Sequence, residues 1–132
     1  MFLVDTSVWI DYLRGVDHPA VDRFDEILAA GEPFGITSTI YQEILQGADS
    51  DASFARFERY LGTQKFYHPL HPTRSYVEAA RLYVRCRRLG VTIRSAIDCL
   101  IAQVAIEHDL RLLHNDRDFT LMAGALPELK VG

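Results

Sequence analysis

The sequence predicts an α/β domain with a largely parallel central sheet of about five strands covered by helices on both faces. Short apolar runs of strand type alternate with helical segments along the chain, the pattern of strands joined by crossover helices. The length of 132 residues, 48% of them hydrophobic and 24% charged, is enough for one real core and too little for two, so residues 1–132 form a single domain. No internal repeat, linker or low-complexity tract interrupts the alternation.

Phe2 to Asp5 is the first strand-like run, and Thr6 or Ser7 supplies an N-cap for a helix reaching about Arg14 and stopping at Gly15. Val21, Phe24, Ile27 and Leu28 fall at helical spacing within Pro19–Ala30, and Gly31 ends that helix. Pro33 to Thr37 reads as the second strand. A helix over Ser38–Gln46 closes at Gly47, a further helix runs from about Asp51 to Leu61, and Phe66 to Leu70 makes a third strand. Tyr76, Ala79, Ala80 and Tyr83 give the next helix its apolar stripe and leave Arg81, Arg85 and Arg88 on another face, with Gly90 as terminator. Ser95 to His108 is apolar almost all round, the mark of a buried helix. Leu110 to Leu113 is the fourth strand, and Leu129 to Val131 a last short one.

The N-terminal Met-Phe-Leu-Val-Asp lacks the basic flank and long apolar core of a signal peptide, and no apolar run approaches a membrane span. A soluble cytoplasmic protein is expected, without membrane attachment. Cys86 and Cys99 stand in helical patterns with no metal-binding spacing, so both are expected as core filler. A formal charge of -4 points away from a DNA-coating protein. The distribution is uneven, since residues 74 to 94 carry six arginines against one glutamate. One face therefore suits phosphates while another concentrates carboxylates.

In open parallel sheets, ligands gather beyond the carboxyl ends of the strands. Asp5 ends the first strand, Glu43 lies within two turns of the second, Asp98 opens the buried helix, and Asp116 follows the fourth strand. Four oxygen donors converging from separate segments suit a hard divalent cation, magnesium or manganese, rather than zinc. Each acid also has a plainer reading. Asp5 could cap the helix after it, although Thr6 and Ser7 already offer that service, and Glu43 reads equally as an ordinary helix glutamate. Ser95-Ala-Ile-Asp98 matches a capping box, and Arg94 stands one turn back for an ion pair. Burying a carboxylate among Ile97, Leu100, Ile101, Val104 and Ala105 is nevertheless costly without a cation. In His114-Asn-Asp-Arg-Asp118, a polar turn of common composition, Asp118 is expected to cap the following turn while Asp116 faces the metal.

Taken together, Val4-Asp5-Thr6-Ser7, Glu43 followed by Ile-Leu-Gln-Gly47, Ile97-Asp98-Cys-Leu-Ile-Ala102 and Leu112-Leu-His-Asn-Asp116-Arg-Asp-Phe119 resemble the PIN-domain ribonucleases. The resemblance covers nearly the whole chain and is strongest to the VapC-type toxins of toxin–antitoxin pairs. It implies a PIN-like three-layer sandwich and a magnesium-dependent endoribonuclease, with manganese as a substitute metal. It further implies that Asp5, Glu43, Asp98 and Asp116 form the catalytic quartet and that Asp5, Asp98 and Asp116 ligate the metal. Thr6 adds a hydroxyl beside the first aspartate, Arg94 suits the rim of the site, and Asp118 is a supporting acid. His114 is a departure, standing where relatives often carry threonine or serine. The implied partners are an RNA substrate (transfer, ribosomal or messenger), a cognate VapB-type antitoxin that neutralises the toxin, and a second copy of the chain, joined through the early helices. Arg81, Arg85 and Arg88 would guide flanking phosphates, although a solvated helix face is the simpler account. Trp9, Tyr12, Tyr41 and Phe119 read equally as core or as base-stacking residues.

Two rival functions use the same acids. A receiver-like phosphoacceptor domain also binds magnesium at strand ends, but it needs paired acids after the first strand and a lysine near the last, whereas Asp5 stands alone and only Lys65 and Lys130 exist. A non-catalytic binding module would instead use the acidic pocket to accept arginine or lysine from a protein partner.

Overall fold

The computed structural model describes all residues, Met1–Gly132. Its elements run β1 (Phe2–Val4), α1 (Thr6–Leu13), α2 (Pro19–Ala30), β2 (Phe34–Gly35), α3 (Ser38–Gln46), α4 (Asp51–Leu61), α5 (Arg74–Arg88), α6 (Ala96–Glu107), β3 (Arg111–Leu113) and α7 (Arg117–Ala125). The three strands form one parallel sheet in the order β2-β1-β3. Phe2 faces Phe34 on one side and Arg111 on the other, and Leu3 faces Gly35 and Leu112. Successive strand residues point to opposite faces, and Phe2, Leu3 and Val4 are all buried, so both faces of the central strand are covered.

Three of the five expected strands thus make the sheet, and the two outer segments add a single parallel bridge each, Ile36 with Phe66 and Leu112 with Val131. Pro69 offers no amide donor and limits how far the Phe66 segment can pair. Gly35 is required where that segment crosses β2: a Cβ there would lie 2.5 Å from the Lys65 carbonyl oxygen and 2.6 Å from the Tyr67 ring.

The helices pack in two groups. α1 lies against α2 and α3, with α3 against α4, while α5 packs on α6 and both touch α7. Trp9, Phe24, Ile27, Ile36, Ile40, Leu61, Ile101, Leu112, Phe119 and Met122 are fully buried. Burying each such side chain contributes about 1.5–3 kcal/mol. Trp9 stands edge-on to Phe24 and Tyr12, at ring separations of 4.9 Å and 6.1 Å, and is therefore a core residue, as is Phe119. Both cysteines are buried free thiols. No helix is long and apolar enough to cross a membrane.

One helix was not expected. The segment after His114 was read as a turn, yet α7 runs from Arg117 to Ala125 with Asp116 as its N-cap. Phe119 and Met122 sit one turn apart and bury the same face.

Candidate active site

Parallel strands end on one edge of the sheet, and that edge collects the acids. Asp5 follows β1 directly, and its backbone N–H donates to the Leu113 carbonyl at 2.9 Å, which fixes it beside the end of β3. The residue is 5% exposed, and its side chain is itself the N-cap of α1. Thr6 and Ser7, expected as the cap, are instead the first two residues of the helix. Asp5 Oδ2 accepts from Ser7 N–H at 3.1 Å and from Ser7 Oγ at 2.7 Å. Burial pushes the Asp5 carboxyl up in spite of these donors, and Asp116 adds to the rise.

Thr6 is freed by this arrangement for another task. Its hydroxyl donates to Glu43 Oε1 at 3.2 Å, tying α1 to the second turn of α3. Glu43 is half-buried, and burial first and the Asp5 charge second raise its carboxyl, with the Thr6 hydrogen bond opposing them.

Asp98, in the first turn of α6, makes no side-chain hydrogen bond and no ion pair. The capping-box alternative is not realised, since Ser95 caps the helix by accepting from Ile97 N–H at 3.2 Å. Burial and then Asp5, Asp116, Glu43 and Asp118 push the Asp98 carboxyl up to about 7. The four acids of the quartet, encoded far apart, therefore share one field.

The capping place expected of Asp118 is taken by Asp116. Asp116 caps α7, accepting from Asp118 N–H at 2.9 Å. Asp118 is buried and pairs with Arg94, whose backbone N–H and Nε both donate to Oδ2 at 3.1 Å. Arg94 also approaches Asp116 Oδ1 at 3.5 Å, so its ion pairs go to α7 and not to Asp98. Burial pushes Asp118 up, but the hydrogen bonds and charge of Arg94 outweigh it and hold the carboxyl below its ordinary value.

His114 accepts the Asp116 N–H at Nδ1, 3.2 Å away, and its ring leans on Phe119. Burial lowers its imidazole against the pull of Asp5 and Asp116, which matches a neutral acceptor. Ser7, expected only as a candidate N-cap, organises the site instead. Besides holding Asp5, its Oγ accepts from Asn115 N–H at 2.9 Å, so one hydroxyl joins the loop after β1 to the loop after β3. Asn115 makes a second tie to Asp11 at 2.9 Å.

The arginines of α5 are differently engaged. Arg85 grips Glu128 with two bonds of 2.7 Å and 3.1 Å, Arg81 lies 3.8 Å from Glu78, and Arg88 is exposed without a partner. Between α5 and α6 runs an apolar groove of about 590 Å³ lined by Tyr76, Tyr83, Ile93, Ile97 and Leu100, with Arg94 as its one charged residue. It lies away from the early helices, where a dimer contact was expected.

No three carboxylate, imidazole or thiol groups stand close enough in this arrangement to enclose a metal ion. The donor set still fits one. The oxygens are hard donors, Asp98 is unpaired, and the repulsion recorded by Asp5, Glu43 and Asp98 is the kind a divalent cation relieves.

Comparison with known proteins identifies the family and the fold. The PIN domain family model matches residues 2–125. Ribonuclease VapC11 of Mycobacterium tuberculosis is 34% identical over 93% of this chain and 92% of its own length, and ribonuclease VapC4 of the same species is 31% identical over 98% and 93%. Among solved structures, VapBC2 from Rickettsia felis, bound to a promoter DNA fragment, shares the fold at a TM-score of 0.73 and 17% identity over 99% of this chain and 96% of that one. FitAcB from Neisseria gonorrhoeae aligns at a TM-score of 0.69 and 18% identity, covering 99% and 96%. The chain belongs to the PIN-domain family, and within it to the VapC ribonuclease type.

Proposed function

We propose that this chain is a metal-dependent endoribonuclease toxin that cuts transfer, ribosomal or messenger RNA in the cytoplasm. The observation that carries the reading is Asp98: a half-buried carboxyl with no partner of its own, pushed up to about 7 by burial and by the charges of Asp5, Asp116, Glu43 and Asp118. Such a group needs a cation, and the VapC relatives supply the chemistry a cation would serve. Asp5, Asp98 and Asp116 would hold one or two magnesium ions, with manganese as a substitute. A bound divalent ion supplies charge neutralisation at the scissile phosphate and acidifies a water. Glu43 orients that water and accepts its proton as the water oxygen attacks phosphorus in line and the bond to the leaving ribose oxygen breaks. Thr6 holds Glu43 for this task, and Ser7 holds Asp5. Without cations the four acids repel an RNA backbone, so metal is needed for substrate binding as well as for cleavage.

The protein partners follow from the solved relatives, which include VapBC assemblies. A cognate VapB-type antitoxin would neutralise the toxin by placing a basic side chain among the acids. The apolar groove between α5 and α6 offers surface for a protein partner, either the antitoxin or a second copy in a homodimer. The non-catalytic alternative, an acidic pocket that only binds basic side chains, predicts no cleavage at all. Purified protein, free of antitoxin, is incubated with total RNA with and without magnesium, and the new ends are sequenced. Metal-dependent cuts that vanish in Asp5→Asn support the nuclease; intact RNA with wild-type protein supports the binding module.

A further inference from the structure

We propose that Arg94 grips a phosphate of the bound RNA at the edge of the acidic site, and that Asp118 is the positioning residue that aims it. The inference rests on the nuclease reading and deepens it by assigning the site its own cation.

Arg94 is the only basic residue that bridges to an acid of the site. Its side chain is 74% exposed, yet one nearly inaccessible carboxylate, 6% exposed, holds it at both the backbone N–H and Nε. An exposed arginine ordinarily keeps its rotamer freedom, and ordering it is costly. Asp118 is not needed to cap α7, because Asp116 already does so. The side-chain hydrogen bonds that Asp118 accepts all come from Arg94. As a stability device, a buried carboxylate paired with an exposed cation is a poor one. As a mount it is effective, since fixing Nε and the backbone leaves Nη1 and Nη2 in a set direction.

That direction is toward the acids. The remaining contact of Nη2, to Asp116 Oδ1, is 3.5 Å, long for a charge-assisted hydrogen bond, so a stronger acceptor can displace it while the guanidinium keeps its orientation. A phosphate oxygen brought to the site by the metal is such an acceptor, and the planar fork of arginine matches two of its oxygens. Arg94 also precedes α6 by one residue beyond the Ser95 cap, so its place relative to Asp98 is fixed by the start of that helix.

The test is RNA cleavage by the full chain with magnesium, comparing wild type, Arg94→Ala, Arg94→Lys, Asp118→Asn, the double variant Arg94→Ala/Asp118→Asn, and Asp5→Asn. Arg94→Ala is expected to lower kcat/KM about a hundredfold, the scale of losing one preorganised donor to the reacting group. Arg94→Lys should recover little of this, and added guanidinium should restore part of the rate to Arg94→Ala and none to Asp5→Asn. Asp118→Asn keeps an oxygen that can accept the Arg94 N–H but loses the charge, and is expected to fall between wild type and Arg94→Ala. The double variant should be no slower than Arg94→Ala alone, as required if Asp118 acts through Arg94. Cleavage by Arg94→Ala equal to or faster than wild type, or losses in the double variant that multiply, would overturn the inference while leaving the nuclease reading intact. Failure of the wild type to cleave under any metal would overturn both.

Discussion

The hydroxyl of Thr6 donates to the carboxylate of Glu43 across 3.2 Å, linking the first residue of α1 to the middle of α3. A hydrogen bond to a charged group is worth about 1.5–3 kcal/mol, and here it fixes the proton acceptor of the proposed reaction. Thr6→Val, which keeps the shape and removes the donor, is expected to lower kcat by about tenfold or more. Thr6→Ser should retain most of the rate. Equal kcat in Thr6→Val and wild type would show that Glu43 is held by something else.

Asp98 makes the stability of the metal-free protein depend on pH. Its carboxyl is raised from 3.8 to about 7, so the folded state favours the protonated form. The associated stability is present in full below about pH 4 and is lost as pH rises through about 7. Asp98→Asn has no such loss and should melt several degrees above wild type at pH 8 in EDTA, by the usual scaling of Tm with stability. The two should converge at low pH. Calorimetry showing equal melting temperatures at pH 8 would contradict the crowding of acids around Asp98.

Magnesium should compete with that proton. At fixed low magnesium, cleavage is expected to decline as pH falls below about 7, and more magnesium should restore it. Titrating metal at two pH values checks this. A half-saturating concentration unchanged between pH 8 and pH 6 would remove Asp98 from the ligand set.

Gly35 is predicted to be intolerant of any side chain. Its Cβ would meet the Lys65 carbonyl, a backbone atom that cannot swing aside, and Gly35→Ala should cost about 1–3 kcal/mol as an overpacked position. Urea unfolding measures it. An unchanged midpoint would mean that the Phe66 segment is not held against β2.

The parts of this molecule visible in its sequence are those written in local pattern. Phe2 to Val4 is an uninterrupted apolar run, and it is the central strand with Asp5 at its end. Ser95 to His108 is apolar on all sides and forms the buried helix α6. What the sequence concealed was decided by competition or by distance. Asp5, Thr6 and Ser7 are three adjacent residues that can all cap a helix, and only the packing of α3 shows that Thr6 is drawn to Glu43 while Asp5 does the capping. Arg94 lies within one turn of Asp98 and 24 positions from Asp118, and the nearer partner is the wrong one. The helix α7 was hidden because Asp116 and Asp118 look like turn residues, although Phe119 and Met122 carried a helical spacing.

The strand order β2-β1-β3 places the first residues of the chain between two segments made later. Pairing of Val4 with Leu113 joins positions at nearly opposite ends of the polypeptide. A chain still being synthesised therefore carries Asp5 long before Asp116 exists to stand beside it, and contacts of such long range are slow to close. The side-by-side placement of Asp5 and Asp116 therefore waits on the docking of β3 against β1.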